Sequence, residues 1–257
     1  MSGRDGGRDG PSLTLILTAL PEETSALLDR LRNVSAIPRA SGRAWSGRLA
    51  GQPVLLGETG VGPQRAAAGM AKLLRFAGPR RWIGLGLAGA LAPELSAGEI
   101  LIASSVSDGE GVVTPGPDPA WAARASACGA PAKNARFLAA ARIASTPSEK
   151  GRLRGRGAEQ FDALDMESAA WARAAAAAGH DVPYLLVRVV SDTAEEELPE
   201  LVAAAIGPDG SLDRGRIARR ALRHPGSIGK LLLLRRRARS CAGSLAEFLE
   251  TFAAAGF

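Results

Sequence analysis

The sequence predicts an α/β protein, a single domain on a mixed, mostly parallel central sheet flanked by helices. Three observations carry this expectation. Short apolar runs with the length and β-branched content of buried strands recur at 13–18, 82–87 and 183–190. Segments of high helix propensity separate them, such as the Ala-rich Glu167–Ala178, ended by Gly179. A chain of 257 residues, 46% hydrophobic and 23% charged, can bury one full core.

The first residues, 1–12, are polar and Gly-rich and contain no apolar stretch like that of a signal peptide. They read as a flexible tail on a cytoplasmic protein, with the folded domain spanning 13–257. Leu13–Thr18 reads as the first strand. Pro21, Glu22 and Glu23 then open a helix expected to run to about Arg32, with proline and acids in its first turn. Arg43–Leu49 and Pro53–Leu56 flank Ala50-Gly51-Gln52 as a hairpin. Gly60-Val61-Gly62-Pro63 leads into a helix over Gln64–Phe76. Backbone amides at such a start can hold an anion, with Arg65 adding charge, or the turn can simply be tight.

Trp82–Leu87 reads as a buried strand running into Gly84-Leu85-Gly86-Leu87-Ala88-Gly89, a formal match to a dinucleotide fingerprint. That reading fails, because such a turn must open a helix at once. Here Leu91-Ala92-Pro93-Glu94-Leu95 follows, and Glu99–Val106 reads as another strand. Residues 107–133 are turn-rich, with a short helix near Ala120–Cys128. Arg142–Ser145 reads as a strand and Ser148–Arg156 as a helix. Phe161–Met166, Glu167–Ala178 and Pro183–Val190 form a strand–helix–strand unit whose strands are most simply parallel neighbours.

In such a sheet, ligands bind beyond the carboxyl ends of the strands, and an acid stands at each of these two ends: Glu167 and Asp192. One carboxylate there can accept sugar hydroxyls, and a partly buried one can give a proton to a leaving group. The same placement also suits a helix-start acid and a helix cap.

Asp165-Met166-Glu167-Ser168, followed by Val187-Arg188-Val189-Val190-Ser191-Asp192, resembles the signature of the purine nucleoside phosphorylase and methylthioadenosine/adenosylhomocysteine nucleosidase superfamily. The resemblance covers roughly 13–205 and implies that family's nucleoside phosphorylase-like fold. It also implies roles. Met166 and Glu167 would hold the ribose, with Glu167 accepting from the 2′- and 3′-hydroxyls. Asp192, of the pair Ser191-Asp192, would protonate purine N7. Glu23 would match the carboxylate that activates water in the nucleosidases. Ala88 and Gly89 would lie against base and ribose, where no side chain stands in the way. Gly60, Gly62 and Arg65 match the family's Gly-x-Gly turn, a candidate phosphate site. Phosphorolytic members often place a phosphate-binding Ser where this chain has Leu87, which leaves phosphate or water open as acceptor. The nucleosidases stack a Phe on the purine from a loop that here holds Thr146 and Pro147, so stacking would differ or fall to Trp82, Trp121 or a neighbouring subunit.

The tail narrows the resemblance. Leu198-Pro199 after the Ser-Asp pair, the Asp209-Gly210 turn, Arg223-His224-Pro225 and a Leu/Arg-rich final helix look like the hopanoid-associated phosphorylases. That branch removes adenine from adenosylhopane in bacteriohopanepolyol synthesis. The C-terminal helical extension is expected from about 208. Its last helix, Ser227–Phe252, is amphipathic, with Ile228, Leu231, Leu234, Ala238, Cys241, Leu245, Phe248 and Phe252 on one face. Lys230, Arg235, Arg236, Arg237 and Arg239 fill the other, as a solvated face or as a contact for anionic lipid at the inner membrane.

Cys128 and Cys241 have no metal-like spacing and there are only 2 histidines, so neither a zinc site nor a disulfide scaffold is expected. No cofactor is expected beyond phosphate as a co-substrate. The net charge is +6, largely Arg, yet 4% aromatic residues leave few stacking platforms, against a nucleic-acid partner. The expected partners are a small purine nucleoside and further copies of the chain, as a homodimer or higher. Within the enzyme class the alternative that the resemblance implies is a methylthioadenosine/adenosylhomocysteine or futalosine-type nucleosidase; from another class it is a non-catalytic nucleoside sensor on the same fold or a basic nucleic-acid-binding protein.

Overall fold

The computed structural model describes residues 13–38, 43–156, 159–180, 182–199, 215 and 228–257. The expected N-terminal tail, the Asp209-Gly210 turn and Arg223-His224-Pro225 lie outside the described residues.

In chain order the elements are β1 (Thr14–Thr18), α1 (Pro21–Leu28), β2 (Arg32–Ala36), β3 (Arg43–Leu49), β4 (Gln52–Glu58), α2 (Pro63–Phe76), β5 (Arg81–Ala90) and β6 (Ile100–Ser107). They continue with α3 (Pro119–Ser126), β7 (Lys133–Ala139), α4 (Pro147–Arg154), β8 (Gly155–Arg156), β9 (Glu159–Gln160), β10 (Ala163–Asp165), α5 (Ser168–Ala177), β11 (Tyr184–Asp192) and α6 (Ile228–Ala254). Among the described residues, nine strands form one mixed sheet in the order β10-β7-β6-β11-β5-β1-β4-β3-β2. Its centre, β4-β1-β5-β11, is parallel. The outer pairs β2–β3 and β3–β4, and the β6–β11 pair, are antiparallel.

The central strands are largely apolar because both faces are covered, with Arg188 a buried exception in β11. Side chains alternate between faces. Leu15, Leu17 and Leu186 pack with Met70 and Leu73 of α2 and Trp171 of α5. Ile16, Ile83 and Leu185 pack on the other side with Leu27 of α1, Trp121 of α3 and Leu245, Phe248 and Phe252 of α6. Close approach explains one glycine of the false fingerprint. A Cβ at Gly84 would come within 2.7 Å of the Trp171 ring and 2.6 Å of Leu186. No helix follows β5 before β6 begins, as the rejection of a dinucleotide turn requires.

Three expectations are corrected. First, β10 and β11 are not parallel neighbours. β5 pairs in parallel with β11 but, at Gly89 and Ala90, antiparallel with β10. β6 and β7 fill the space between the other edges of β10 and β11, so the strand–helix–strand unit crosses a closed circuit instead of one step. Second, Arg142–Ser145 is loop; the strand is Lys133–Ala139, whose alternation is hidden by Lys133, Asn134 and Arg136. Third, α1 stops at Leu28, and Arg32–Ala36 is an exposed edge strand with no apolar periodicity to announce it.

Candidate active site

The circuit brings its motifs together through the end of β5. Leu164 of β10 and Asp192 of β11 both pair with Gly89. Glu167, just after β10, and Asp192, the last residue of β11, therefore face one cavity of about 250 Å³. Glu23, Ala88, Gly89, Met166, Glu167, Ser191 and Asp192 all line it. Much of the remaining wall is apolar, including Leu87, Leu91, Ile143, Leu198, Leu234 and Ala238.

Glu23 lies in the first turn of α1. Its Oε2 accepts from the amides of Ala19 and Leu20, both at 2.9 Å, so it serves the helix start and the cavity together. Burial pushes its carboxyl up to about 7, against those amides and the charge of Arg188.

Glu167 stands just before α5 and is buried. Its Oε1 accepts from the amide of Gly62 at 2.7 Å. Burial first, and then the nearby Asp165 carboxylate, push it up to about 8.

Asp192 is equally buried but differently partnered. Its Oδ2 accepts from Lys150 Nζ at 2.6 Å and its Oδ1 from Ser191 Oγ at 2.6 Å. Backbone passes close by: a Cβ on Gly89 would lie 3.0 Å from Asp192 Oδ2. Gly89 is thus needed where a carboxylate presses on the strand.

In the expected phosphate turn, the Gly62 amide donates to Glu167 Oε1. Arg65 is exposed and packs along Gly60, and neither lines the cavity. The stacking candidates are corrected. Trp82 is buried against Tyr184 at 4.4 Å, and Trp121 against Phe252 and Phe257. Among the described residues, no aromatic side chain lines the cavity.

Three basic side chains reach the site without a role there in the sequence reading. Arg188, within the second motif, is fully buried; its Nε donates to Asp165 Oδ2 at 2.7 Å and its Nη2 to Ser168 Oγ at 2.7 Å. Asp165 and Ser168 flank Met166-Glu167, so this ion pair ties the two motifs together. Lys150 reaches the site from α4, whose start is capped by Thr146 and Glu149. Arg237, expected on a solvated or lipid-facing side of α6, instead turns inward. Its Nη1 donates to Glu196 at 2.6 Å and to the Ser191 carbonyl at 3.2 Å. Among the described residues, no group of three or more His, Cys, Asp or Glu could hold a metal ion.

A mixed α/β sheet whose strand ends gather three acids around a small cavity defines a nucleoside phosphorylase-like protein. The model of the phosphorylase superfamily matches residues 14–223, and the chain belongs to that superfamily of enzymes. Solved structures share the fold. A 5′-methylthioadenosine/S-adenosylhomocysteine nucleosidase from Neisseria meningitidis, in complex with methylthio-immucillin-A, is 19% identical with a TM-score of 0.73, over 95% of this chain and 99% of that one. An S-adenosylhomocysteine nucleosidase from Streptococcus pyogenes, in complex with 5-methylthiotubericidin, is 20% identical with a TM-score of 0.73, over 98% and 100%. A futalosine hydrolase mutant from Helicobacter pylori is 16% identical with a TM-score of 0.70, over 94% and 98%.

Proposed function

We propose that this enzyme cleaves the N-glycosidic bond of an adenine nucleoside, with water as the acceptor. The observation that carries the reading is the convergence of Glu23, Glu167 and Asp192 on one cavity at the end of β5. Glu167 anchors the ribose through its 2′- and 3′-hydroxyls, with Met166 packed at the sugar. Asp192 donates a proton to N7, so adenine leaves neutral as the ring gains oxocarbenium character. Glu23 takes a proton from the water that attacks the anomeric carbon. Water is favoured over phosphate because Glu23 lines the cavity as a base for it, and the Gly62 amide that could receive a phosphate already bonds Glu167.

The apolar wall formed by Leu91, Ile143, Leu198, Leu234 and Ala238 supports an apolar 5′ substituent. Adenosylhopane, the substrate of the branch that the tail resembles, fits that description. A methylthioadenosine/adenosylhomocysteine or futalosine-type substrate is the second reading, supported by the named structural neighbours. For a lipid substrate, docking on an anionic membrane would use Arg235, Arg236 and Arg239 beside the exposed Leu232 and Leu233. No helix among the described residues is long and apolar enough to cross a membrane. A homodimer or higher oligomer is part of the same proposal.

Incubation with adenosine, methylthioadenosine, futalosine and adenosylhopane, with and without phosphate, tests the reading. Free adenine from adenosylhopane, at a rate indifferent to phosphate, is expected. Release of base only with phosphate would replace hydrolysis by phosphorolysis.

A further inference from the structure

Lys150 is among the largest fully buried side chains in the protein, and the chemistry outlined above makes no use of it. It enters from α4, far from both motifs in sequence. A lysine ammonium has three donors. Here all three have acceptors: Asp192 Oδ2 at 2.6 Å, the Thr193 carbonyl at 2.6 Å and the Glu196 carbonyl at 2.9 Å. The side chain is therefore fixed in place, and it fixes others. It holds one oxygen of Asp192, while Ser191 Oγ holds the other. It also anchors the turn after β11, whose Glu196 side chain grips Arg237 on the cavity wall.

A buried ion pair is a costly way to hold a loop, since a well-packed apolar pair of similar volume is often as stable or more so. The position of the pair suggests another use. It lies on the carboxyl that would act on the leaving base, and a carboxyl that gives up a proton acquires a negative charge in a poorly solvated place. An ammonium 2.6 Å away stabilises that charge as it forms, without any rearrangement.

We propose that Lys150 is a positioning residue for leaving-group protonation. It aims the Asp192 carboxyl at the base and offsets the charge left there after proton transfer. The step starts with Asp192 carrying a proton taken from solvent; that proton passes to N7, the electrons of the glycosidic bond go to the base, Lys150 keeps all of its own protons, and the carboxylate–ammonium pair is what remains. This assignment rests on the reading of the cavity as a purine nucleosidase site.

The test compares two leaving groups. Adenine needs protonation to leave; p-nitrophenol, from p-nitrophenyl riboside, does not. Lys150→Met should lower kcat for adenine release by about 10²-fold or more, the range of a general acid, with KM changed only a few-fold. Its cleavage of p-nitrophenyl riboside should stay within a few-fold of wild type. Because Lys150→Met leaves Asp192 without its buried partner, it could unfold. The double variant Lys150→Met/Asp192→Asn removes both charges and keeps the test open. It should melt near wild type and release adenine no more slowly than Asp192→Asn alone, since the two residues act as a unit. An active wild type with Lys150→Met equally fast on adenine, or equally slowed on both substrates, would overturn the assignment alone. So would a double variant far slower than Asp192→Asn. A wild type that releases base from no nucleoside would overturn the nucleosidase reading, and this assignment with it.

Discussion

Two parts of the cavity wall hold the same chemical group in opposite settings. Glu23 and Glu167 are bonded to backbone amides, feel Arg188 only through space, and are pushed by burial up to about 7 and about 8. Asp192 is just as buried but is in direct contact with an ammonium and a hydroxyl. The difference teaches that burial alone does not set the role of a carboxyl. The first pair is poised to take up protons near neutrality, as an acceptor of a water proton should be. The other is held by Lys150 from α4 and by its own neighbour on β11, Ser191.

The largest effect expected from breaking this contrast is at Asp192. Asp192→Asn keeps the shape but removes the transferable proton, and adenine release should fall by about 10² to 10⁴, with nucleoside binding changed much less. Steady-state kinetics beside a direct binding titration separates the two; unchanged turnover would remove Asp192 from the chemistry. A smaller loss is expected at Glu167. Assayed above pH 8, where Glu167 is ionised, Glu167→Gln replaces a charged acceptor for two hydroxyls by a neutral amide. A hydrogen bond to a charged group contributes about 1.5–3 kcal/mol, so kcat/KM should fall by ~10- to 100-fold. The 2′-deoxynucleoside should lose less than adenosine does, and equal losses on both sugars would place Glu167 elsewhere.

The smallest effect is on stability. Glu23 binds its proton more tightly folded than unfolded, so its contribution is fully present below the ordinary carboxylate range. It is lost as pH rises through about 7. Ligand-free Glu23→Gln should therefore gain on wild type as pH rises, by on the order of 1–3 kcal/mol at pH 9 relative to pH 5. That is a few degrees in Tm. Melting curves at the two pH values check the sign, and an equal difference at both would show that burial does not strain Glu23.

The apolar runs made the central sheet legible, and the two motifs made Glu167 and Asp192 legible. What stayed hidden has physical reasons. β7 carries Lys133, Asn134 and Arg136, so its alternation does not read as a strand, and without β7 the path from β10 to β11 looks like one step. Lys150 lies on a short, polar helix where a lysine ordinarily faces water, and its acceptors are contributed by a distant strand end and a turn. Arg237 sits in a run of arginines, among which nothing in the sequence marks the one that turns inward. The Gly60–Gly62 turn was legible as a site for an oxygen acceptor, and the Gly62 amide there bonds the chain's own Glu167.

The most direct test of the central claim is to follow the acceptor oxygen. The enzyme should be incubated with adenosylhopane, and separately with methylthioadenosine, in ¹⁸O-labelled water containing ordinary phosphate. Free adenine together with a ribosyl product carrying ¹⁸O at its anomeric hydroxyl is the predicted result. A ribosyl 1-phosphate without the label, or no free adenine from either nucleoside, would contradict the account.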